Sequence, residues 1–150
     1  MTVGLQITID CIDPERLVPF WCTALGYVVE PPPGGHASWN AYWRSIGVPE
    51  DELPPDEDDV HDSIIDPDGV RPRIWFQAVP ETKTVKNRLH LDLAVADKSR
   101  PKAERQQKVD SLVAELEALG ASRLRPLAFE GSDYYAVVME DPEGNEFCVT

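Results

Sequence analysis

The stretch that decides the fold is "VVMEDPEGNEFCVT", residues 137–150. An apolar run of strand type is followed by Asp-Pro-Glu-Gly at 141–144 and then by a second run of strand type. The four residues predict a β-turn, because proline presets the second turn position and glycine relieves the last. The second run can be a stable strand only if it pairs with another strand of a sheet. A matching half should therefore lie earlier in the chain.

The earlier part of the chain contains such a half. Asp-Pro-Asp-Gly at 66–69 stands between an apolar run and a strand candidate, as 141–144 does. Two further segments alternate between apolar and polar residues, "LQITID" at 5–10 and "RLHLDLAVAD" at 88–97. Alternation with a period of two predicts a β-strand that has one polar face. Each half therefore has an opening strand, a turn and a closing strand.

A helix is predicted after each opening strand. Residues 13–26 begin with Asp-Pro, carry apolar residues at helical spacing and end in Ala-Leu-Gly, although Pro19 indicates a kink or a later start. Residues 105–120 carry the clearest helical stripe and also end in Ala-Leu-Gly. Gln6 and His90 occupy equivalent positions, since each lies seven residues before the aspartate that precedes its helix. The two halves therefore repeat in order and in spacing.

The first half also carries an insert. The end of the helix and the turn are 40 residues apart in the first half and 21 in the second, a difference of 19. The extra residues lie within 31–59, where proline and acidic residues predict a surface excursion and 37–48 one or two helical turns. We therefore predict an α+β fold of two tandem modules in a single domain of residues 1–150. Module one covers about 1–80 and module two about 86–150.

Composition limits the range of partners. The 150 residues carry a net charge of −13, which would repel nucleic acid and anionic membrane surfaces. No apolar run approaches the roughly 18 residues of a membrane helix, and the first ten residues do not resemble a signal peptide, so a cytoplasmic location is expected. Three cysteines without a Cys-x-x-Cys spacing indicate reduced thiols rather than a disulfide framework.

Three segments carry a resemblance to a known superfamily: "LQITIDCIDPERLVPFWCTALGY", "RIWFQAVPETKTVKNRLHLDLAVAD" and "MEDPEGNEFCV". Together they resemble the vicinal oxygen chelate superfamily of glyoxalase I, bleomycin-resistance proteins and extradiol dioxygenases, and most of all its glyoxalase-like branch. The resemblance implies two βαβββ modules that form a cup-shaped mixed sheet with helices on the outer face. The cup would hold a small molecule, commonly with a divalent metal. Modules of this superfamily pair within or between chains, so a homodimer is one alternative.

The resemblance places metal ligands on the first and last strands of each module. The first-strand positions fall on Gln6 and His90, and we predict these two as the metal ligands. Imidazole suits Zn, Ni, Mn or Fe, whereas an amide oxygen is a weaker ligand. The last-strand positions fall on Trp75 and Cys148, neither of which is a carboxylate. The alternative is therefore a site without metal.

The polar faces of the opening strands would then face the cup. His90 and Asp92 are the predicted general bases, because both titrate within a useful range. Further predicted ligand-binding residues lie on these faces, on the closing strands or in the insert: Gln6, Asp10, Trp39, Trp43, Trp75, Gln77, Glu146 and Cys148. Candidate cations for the aspartates are Arg73, Lys86 and Arg88, and candidate aromatic walls include Tyr134 and Tyr135.

Three functions remain open at this point. The first is a glyoxalase-like protein that binds a small molecule in the cup and acts as a lyase, an isomerase or a ring-modifying enzyme. The second is a metal-free sequestering protein like the bleomycin-resistance members, which the missing carboxylates favour. The third is an interaction protein whose acidic insert docks a basic partner. Whether the chain is an enzyme is left open by the sequence.

Overall fold

The computed structural model describes residues 3–150 of the chain. Strands and helices alternate in the order that the repeat predicts. The strands are β1 (Gln6–Cys11), β2 (Val28–Val29), β3 (Ser63–Ile65), β4 (Arg73–Ala78), β5 (Asp92–Leu93), β6 (Ser122–Ala128), β7 (Tyr135–Glu140) and β8 (Glu146–Val149). The α-helices are α1 (Pro14–Leu25), α2 (Trp39–Ser45) and α3 (Lys102–Ala118).

The chain divides into two compact units. The first contains the residues up to Cys22 and Gly26–Val79, and the second contains Thr23–Leu25 and Pro80–Thr150. We use "module one" for β1–β4 with α1 and α2, and "module two" for β5–β8 with α3. Module one has the strand order β1-β4-β3-β2 and module two the order β5-β8-β7-β6. Both sheets therefore have the same order when the strands are numbered within their module: first, fourth, third, second. The predicted βαβββ repeat is confirmed.

Strand register identifies equivalent positions in the two modules. In each module the first strand runs parallel to the last. Thr8 pairs with Trp75 in module one, and Asp92 pairs with Cys148 in module two. Because the sequence repeat makes Thr8 equivalent to Asp92, the register makes Trp75 equivalent to Cys148. This agrees with the positions that the superfamily resemblance gave to these two residues.

The two turns of the repeat have the same internal structure. The amide of Gly69 donates to the carbonyl of Asp66 at 3.0 Å, and the amide of Gly144 donates to that of Asp141 at 2.9 Å. Both aspartate side chains are buried. Each accepts backbone amides of the following residues, which ties the turn to the start of the closing strand. The predicted β-turns are therefore present in both modules.

The helix ends are also equivalent. Gly26 and Gly120 have φ of 64° and 100°, a conformation that favours glycine and ends a helix. The residue after each glycine donates to the carbonyl five residues earlier, Tyr27 to Cys22 at 2.9 Å and Ala121 to Leu116 at 3.0 Å. Pro19 lies inside α1, which begins at Pro14 and not later. α3 begins at Lys102, three residues before its predicted start.

Each module has its own set of buried apolar side chains. In module one they belong to α1, β3 and β4: Leu17, Phe20, Trp21, Ile64, Ile74 and Phe76. In module two α3 packs against β6, β7 and β8, and the buried side chains include Val109, Val113, Leu116, Met139, Phe147 and Val149. Within residues 3–150, no helix is both long and apolar enough to cross a membrane.

Two expectations about the opening strands were wrong. The predicted strand at 88–97 is reduced to Asp92–Leu93, although ladder hydrogen bonds to Leu91 and Val95 continue on either side. Leu5 and Leu89 were expected to face the helix-covered side, but each is 73% exposed. Both leucines lie before the first residue of their strand, Leu5 one residue before β1 and Leu89 three residues before β5, so neither belongs to the sheet.

The insert at 31–59 is more ordered than a solvated acidic loop. It contains α2 and three short 3₁₀ turns at 33–35, 50–52 and 56–58. The Arg44 guanidinium joins two of these turns, because it donates to Glu50 at 2.6 and 2.9 Å and to Asp56 at 2.9 Å. These ion pairs hold the acidic segment against α2.

Candidate functional site

Module two brings three groups of metal-ligand type together. One ligand atom each of His90, Asp92 and Cys148 lies within 4.8 Å of the others. Asp92 is in β5 and pairs in register with Cys148 in β8, while His90 lies two residues before Asp92. Residues two apart in an extended chain share a face, so the strand geometry itself assembles the cluster.

The three side chains differ in exposure. His90 Nε2 lies 3.4 Å from Asp92 Oδ1, and the two side chains are 46% and 59% exposed. Cys148 is buried. Burial raises the pKa of the Cys148 thiol, and the charge and hydrogen bonding of Asp92 raise it further, while Lys86 and Arg125 act in the opposite direction. Without a bound cation the thiol therefore keeps its proton beside the Asp92 carboxylate.

The donor set fits a divalent transition metal. A thiolate sulfur, an imidazole nitrogen and a carboxylate oxygen are ligands of Zn²⁺ and of similar ions, whereas Mg²⁺ and Ca²⁺ require oxygen. Three protein ligands with solvent access leave a coordination position for a water or a ligand, as in catalytic zinc sites. His90, Asp92 and Cys148 would hold the ion, and binding would release the thiol proton to solvent.

Glu146 has a different role from the cluster. Its carboxylate lies 2.9 Å from Lys83 Nζ and accepts the Asn87 amide at 3.0 Å. Burial raises the pKa of Glu146, but these hydrogen bonds outweigh it and lower the pKa to about 2. The residue anchors the segment before β5, and it is absent from the group of three that could share a metal.

Module one presents no such cluster at the equivalent positions. Gln6 Oε1 accepts a hydrogen bond from Arg73 at 2.8 Å, because the two residues are register partners on β1 and β4. Arg73 also lies 2.6 Å from Glu30, so its charge is matched there. Trp75 donates its indole N–H to Asp62 at 2.6 Å. The polar atoms at the expected ligand positions are thus already engaged within module one.

A cavity of about 350 Å³ lies beside these residues in module one. Its aromatic lining comes from the three tryptophans that the sequence predicted as ligand-binding: Trp39, Trp43 and Trp75. Trp39 and Trp43 stack with ring centroids 5.6 Å apart. Asn40, Asp62 and Arg73 line the cavity as well. The insert therefore builds a pocket of its own against the β4 strand.

A second cavity of about 300 Å³ belongs to module two. Tyr134 and Tyr135 line it together with Val109 of α3 and the Arg105–Asp133 ion pair. The Tyr135 hydroxyl donates to Asp110 at 2.6 Å, so this ring is fixed. The two tyrosines were predicted as aromatic walls of the cup, and in the structure they line this cavity beside α3.

The predicted site residues thus fall into groups within their own modules. His90, Asp92 and Cys148 form one cluster, and the three tryptophans share one cavity. Asp10 and Gln77 are register partners on β1 and β4. Arg125 on β6 was not predicted as a site residue. Its charge acts on Cys148 of β8, and the spacing of residues along the sequence gives no sign of such a contact between strands. The sequence analysis also missed Asn40, whose complete burial is unusual for an amide side chain in an acidic insert.

The sequence model of the glyoxalase-like domain family matches residues 6–150, nearly the whole chain. No curated protein has a significant sequence match.

Three solved structures illustrate the likeness in fold. A glyoxalase/bleomycin resistance protein/dioxygenase family enzyme from Burkholderia phytofirmans PsJN is 19% identical, with a TM-score of 0.56 over 96% of this chain and 94% of that chain. A genomically encoded fosfomycin resistance protein from Listeria monocytogenes is 12% identical, with a TM-score of 0.58 over 99% and 93%. A superfamily member from Sphaerobacter thermophilus DSM 20745 is 15% identical, with a TM-score of 0.53 over 99% and 96%. At these identities the likeness concerns the fold alone.

Proposed function

Because the chain belongs to the glyoxalase-like domain family, we propose that it binds a small molecule at a divalent metal ion held by His90, Asp92 and Cys148 and acts on it as a lyase or isomerase. The observation that carries this proposal is the convergence of three different donor atoms within 4.8 Å on β5, on the residues before it and on β8. Exposed acidic groups are common on protein surfaces, but a buried thiol beside an aspartate and a histidine is not.

Each residue of the cluster has a defined part in this proposal. Cys148 would hold the ion with a buried thiolate, and His90 and Asp92 would hold it with side chains that are exposed to solvent. A divalent ion supplies a Lewis acid that polarises a ligand oxygen. Lys86 and Arg125 add positive charge near Cys148, which favours an anionic ligand.

One observation favours a second function, metal-free sequestration of a small molecule. The positions of module one that the superfamily resemblance gives as ligand positions are engaged, since Gln6 accepts from Arg73 and Trp75 donates to Asp62. A protein that used only the aromatic cavity of module one would need no metal.

Metal analysis of the purified protein separates the two functions. Protein prepared without chelator is titrated calorimetrically with Zn²⁺, Co²⁺, Ni²⁺ and Mn²⁺. Each titration contains a reductant that keeps the thiols reduced and does not itself bind the metal. The metal-dependent function predicts one ion per chain and tighter binding of Zn²⁺ and Co²⁺ than of Mn²⁺, because a thiolate is a soft ligand. Absence of stoichiometric binding for all four ions would contradict it and leave sequestration as the better account.

A further inference from the structure

The tryptophan cavity of module one has features that the proposed metal centre does not explain. Two buried side-chain nitrogen or oxygen atoms among residues 3–150 have no hydrogen-bond partner, Trp39 Nε1 and Asn40 Oδ1, and both residues line this cavity. The orientation of the Asn40 amide is fixed, because its Nδ2 donates to Pro54 O and to Asp56 Oδ1, each at 2.9 Å. Buried polar atoms without a partner are rare and costly. A bound molecule that accepts from Trp39 and donates to Asn40 would satisfy both.

The charge of the cavity is negative. Three aspartates line it, Asp58, Asp59 and Asp62. Within the described part of the chain none of them forms an ion pair. Their hydrogen-bond partners are neutral donors: Asp59 accepts from the backbone N–H of Asn40, and Asp62 accepts from Ser63 and Trp75. The one cation in the lining, Arg73, is paired with Glu30. The pocket therefore favours a ligand that carries positive charge.

The aromatic lining favours the same ligand class. Tryptophan attracts a cation over its ring face more strongly than other aromatic side chains, and the attraction grows where water is excluded. Trp39 and Trp43 present a stacked pair from α2, and Trp75 comes from β4. We infer that this cavity binds an organic ammonium ion that also carries a hydroxyl group. The tryptophans and aspartates would hold the ammonium, and the hydroxyl would supply a partner that Trp39 Nε1 or Asn40 Oδ1 lacks.

A set of four small probes tests this inference. Choline carries both groups, 3,3-dimethyl-1-butanol replaces its ammonium by an uncharged carbon, ethyltrimethylammonium lacks its hydroxyl, and acetate carries the opposite charge. Each is titrated into the full chain by calorimetry, with tryptophan fluorescence as a second signal. Choline is expected to bind at least about tenfold more tightly than 3,3-dimethyl-1-butanol, because the charge is the main determinant. Ethyltrimethylammonium should bind about three- to tenfold more weakly than choline, because one set of hydrogen bonds is lost.

Variants place the binding in this cavity. Trp43→Leu removes one ring from an exposed helix position and should weaken choline binding about tenfold, while Trp43→Phe should retain part of it. Asp58→Asn should weaken choline binding about threefold and reduce its salt dependence. Asp51→Asn is the matched control, because Asp51 is exposed in the same insert but does not line the cavity. If Trp43→Leu fails to fold, Asp58→Asn alone carries the test.

The inference does not depend on the metal centre. His90→Ala is expected to leave choline affinity unchanged, and a loss of binding in this variant would move the site to module two and overturn the assignment. Equal binding of choline and its uncharged isostere would overturn it as well. The inference is also overturned if choline does not bind even at concentrations well above millimolar. It is overturned as well if Trp43→Leu and Asp58→Asn both bind choline as tightly as the unmodified chain does.

Discussion

The two modules share a backbone plan but carry different chemistry at equivalent positions. In module two the pairing of β5 with β8 places His90, Asp92 and Cys148 together. In module one the pairing of β1 with β4 joins Gln6 to Arg73 and leaves Trp75 bonded to Asp62. Strand order, turn and helix end are the same in both.

The difference shows which parts of a repeated module are free to change. Buried apolar side chains, the turn aspartate and the glycine after the helix maintain the fold, so both copies keep them. Apart from Cys148, side chains on the polar face of the first and last strands are not part of the buried apolar core, and they differ between the modules. Module one also contains the insert, which supplies a helix and two of the three tryptophans of its cavity.

The largest expected effect tests whether the modules are equivalent as scaffolds. Phe76 of β4 and Phe147 of β8 are both buried. Replacing either by alanine should lower the free energy of unfolding by about 3–5 kcal/mol, because the lost apolar contacts leave a cavity. Urea denaturation followed by circular dichroism measures the change, with Val70→Ala, at a position 83% exposed, as the control. A loss below about 1 kcal/mol for one of the two would show that only one module depends on its core.

The next effect tests whether the modules differ as binding sites. His90→Ala should weaken Zn²⁺ binding by more than about a hundredfold, since loss of a direct ligand costs more than the 10–100-fold typical of a supporting residue. Gln6→Ala removes the equivalent side chain of module one and should change the affinity by less than about threefold, because its oxygen is bonded to Arg73. Calorimetric titration of both variants gives the comparison. Equal losses would mean that Gln6 also binds the metal, as the superfamily resemblance implies.

A further effect appears only in acid and concerns the turn of module one. Asp66 accepts the Arg71 side chain at 2.7 Å and the Arg71 amide at 2.9 Å, and these hydrogen bonds hold the pKa of Asp66 far below its usual value. The pKa is lower in the folded state than in the unfolded state, where it is about 3.9. The stabilisation is therefore fully present above about pH 5 and is lost as the pH falls below about 4.

The Asp66→Asn variant measures this contribution. It should be less stable than the unmodified chain at neutral pH, and the difference in urea midpoint should shrink as the pH falls from about 5 towards 2. Asp51→Asn, an exposed position of the insert, serves as the control. A difference between Asp66→Asn and the unmodified chain that stays constant over this pH range would contradict the role given to the Asp66 carboxylate.

Much of the fold could be predicted from the sequence, for physical reasons. The Asp-Pro-x-Gly turns and the glycines at helix ends require particular backbone conformations, so they mark boundaries that tertiary contacts do not shift. Alternation at 5–10 gave β1 correctly. It overestimated β5, because a strand needs a partner along its whole length, and β8 provides one only beside 91–95.

The candidate site was less predictable. The superfamily resemblance gave His90 and Cys148 as ligand positions, but only His90, together with Gln6, was predicted as a metal ligand. Asp92 was placed on the same face as His90 by alternation but was interpreted only as a base. The partners of Gln6 and Trp75 could not be predicted, because they depend on register between strands that are distant in the sequence. For the cavity of the insert, the sequence predicted only that tryptophans would line a binding site. The unpaired atoms of Trp39 and Asn40 could not be predicted, because they depend on the path of the loop.

The central claim is that module two carries a metal centre with a thiolate ligand, and Co²⁺ absorption spectroscopy tests it most directly. A Co²⁺–thiolate bond gives an intense charge-transfer band in the near ultraviolet, which imidazole and carboxylate ligands do not give. We predict this band for the unmodified chain and for Cys22→Ser, saturating at one Co²⁺ per chain, and its loss in Cys148→Ser. A Co²⁺ complex without the band, or a band that persists in Cys148→Ser, would contradict the account.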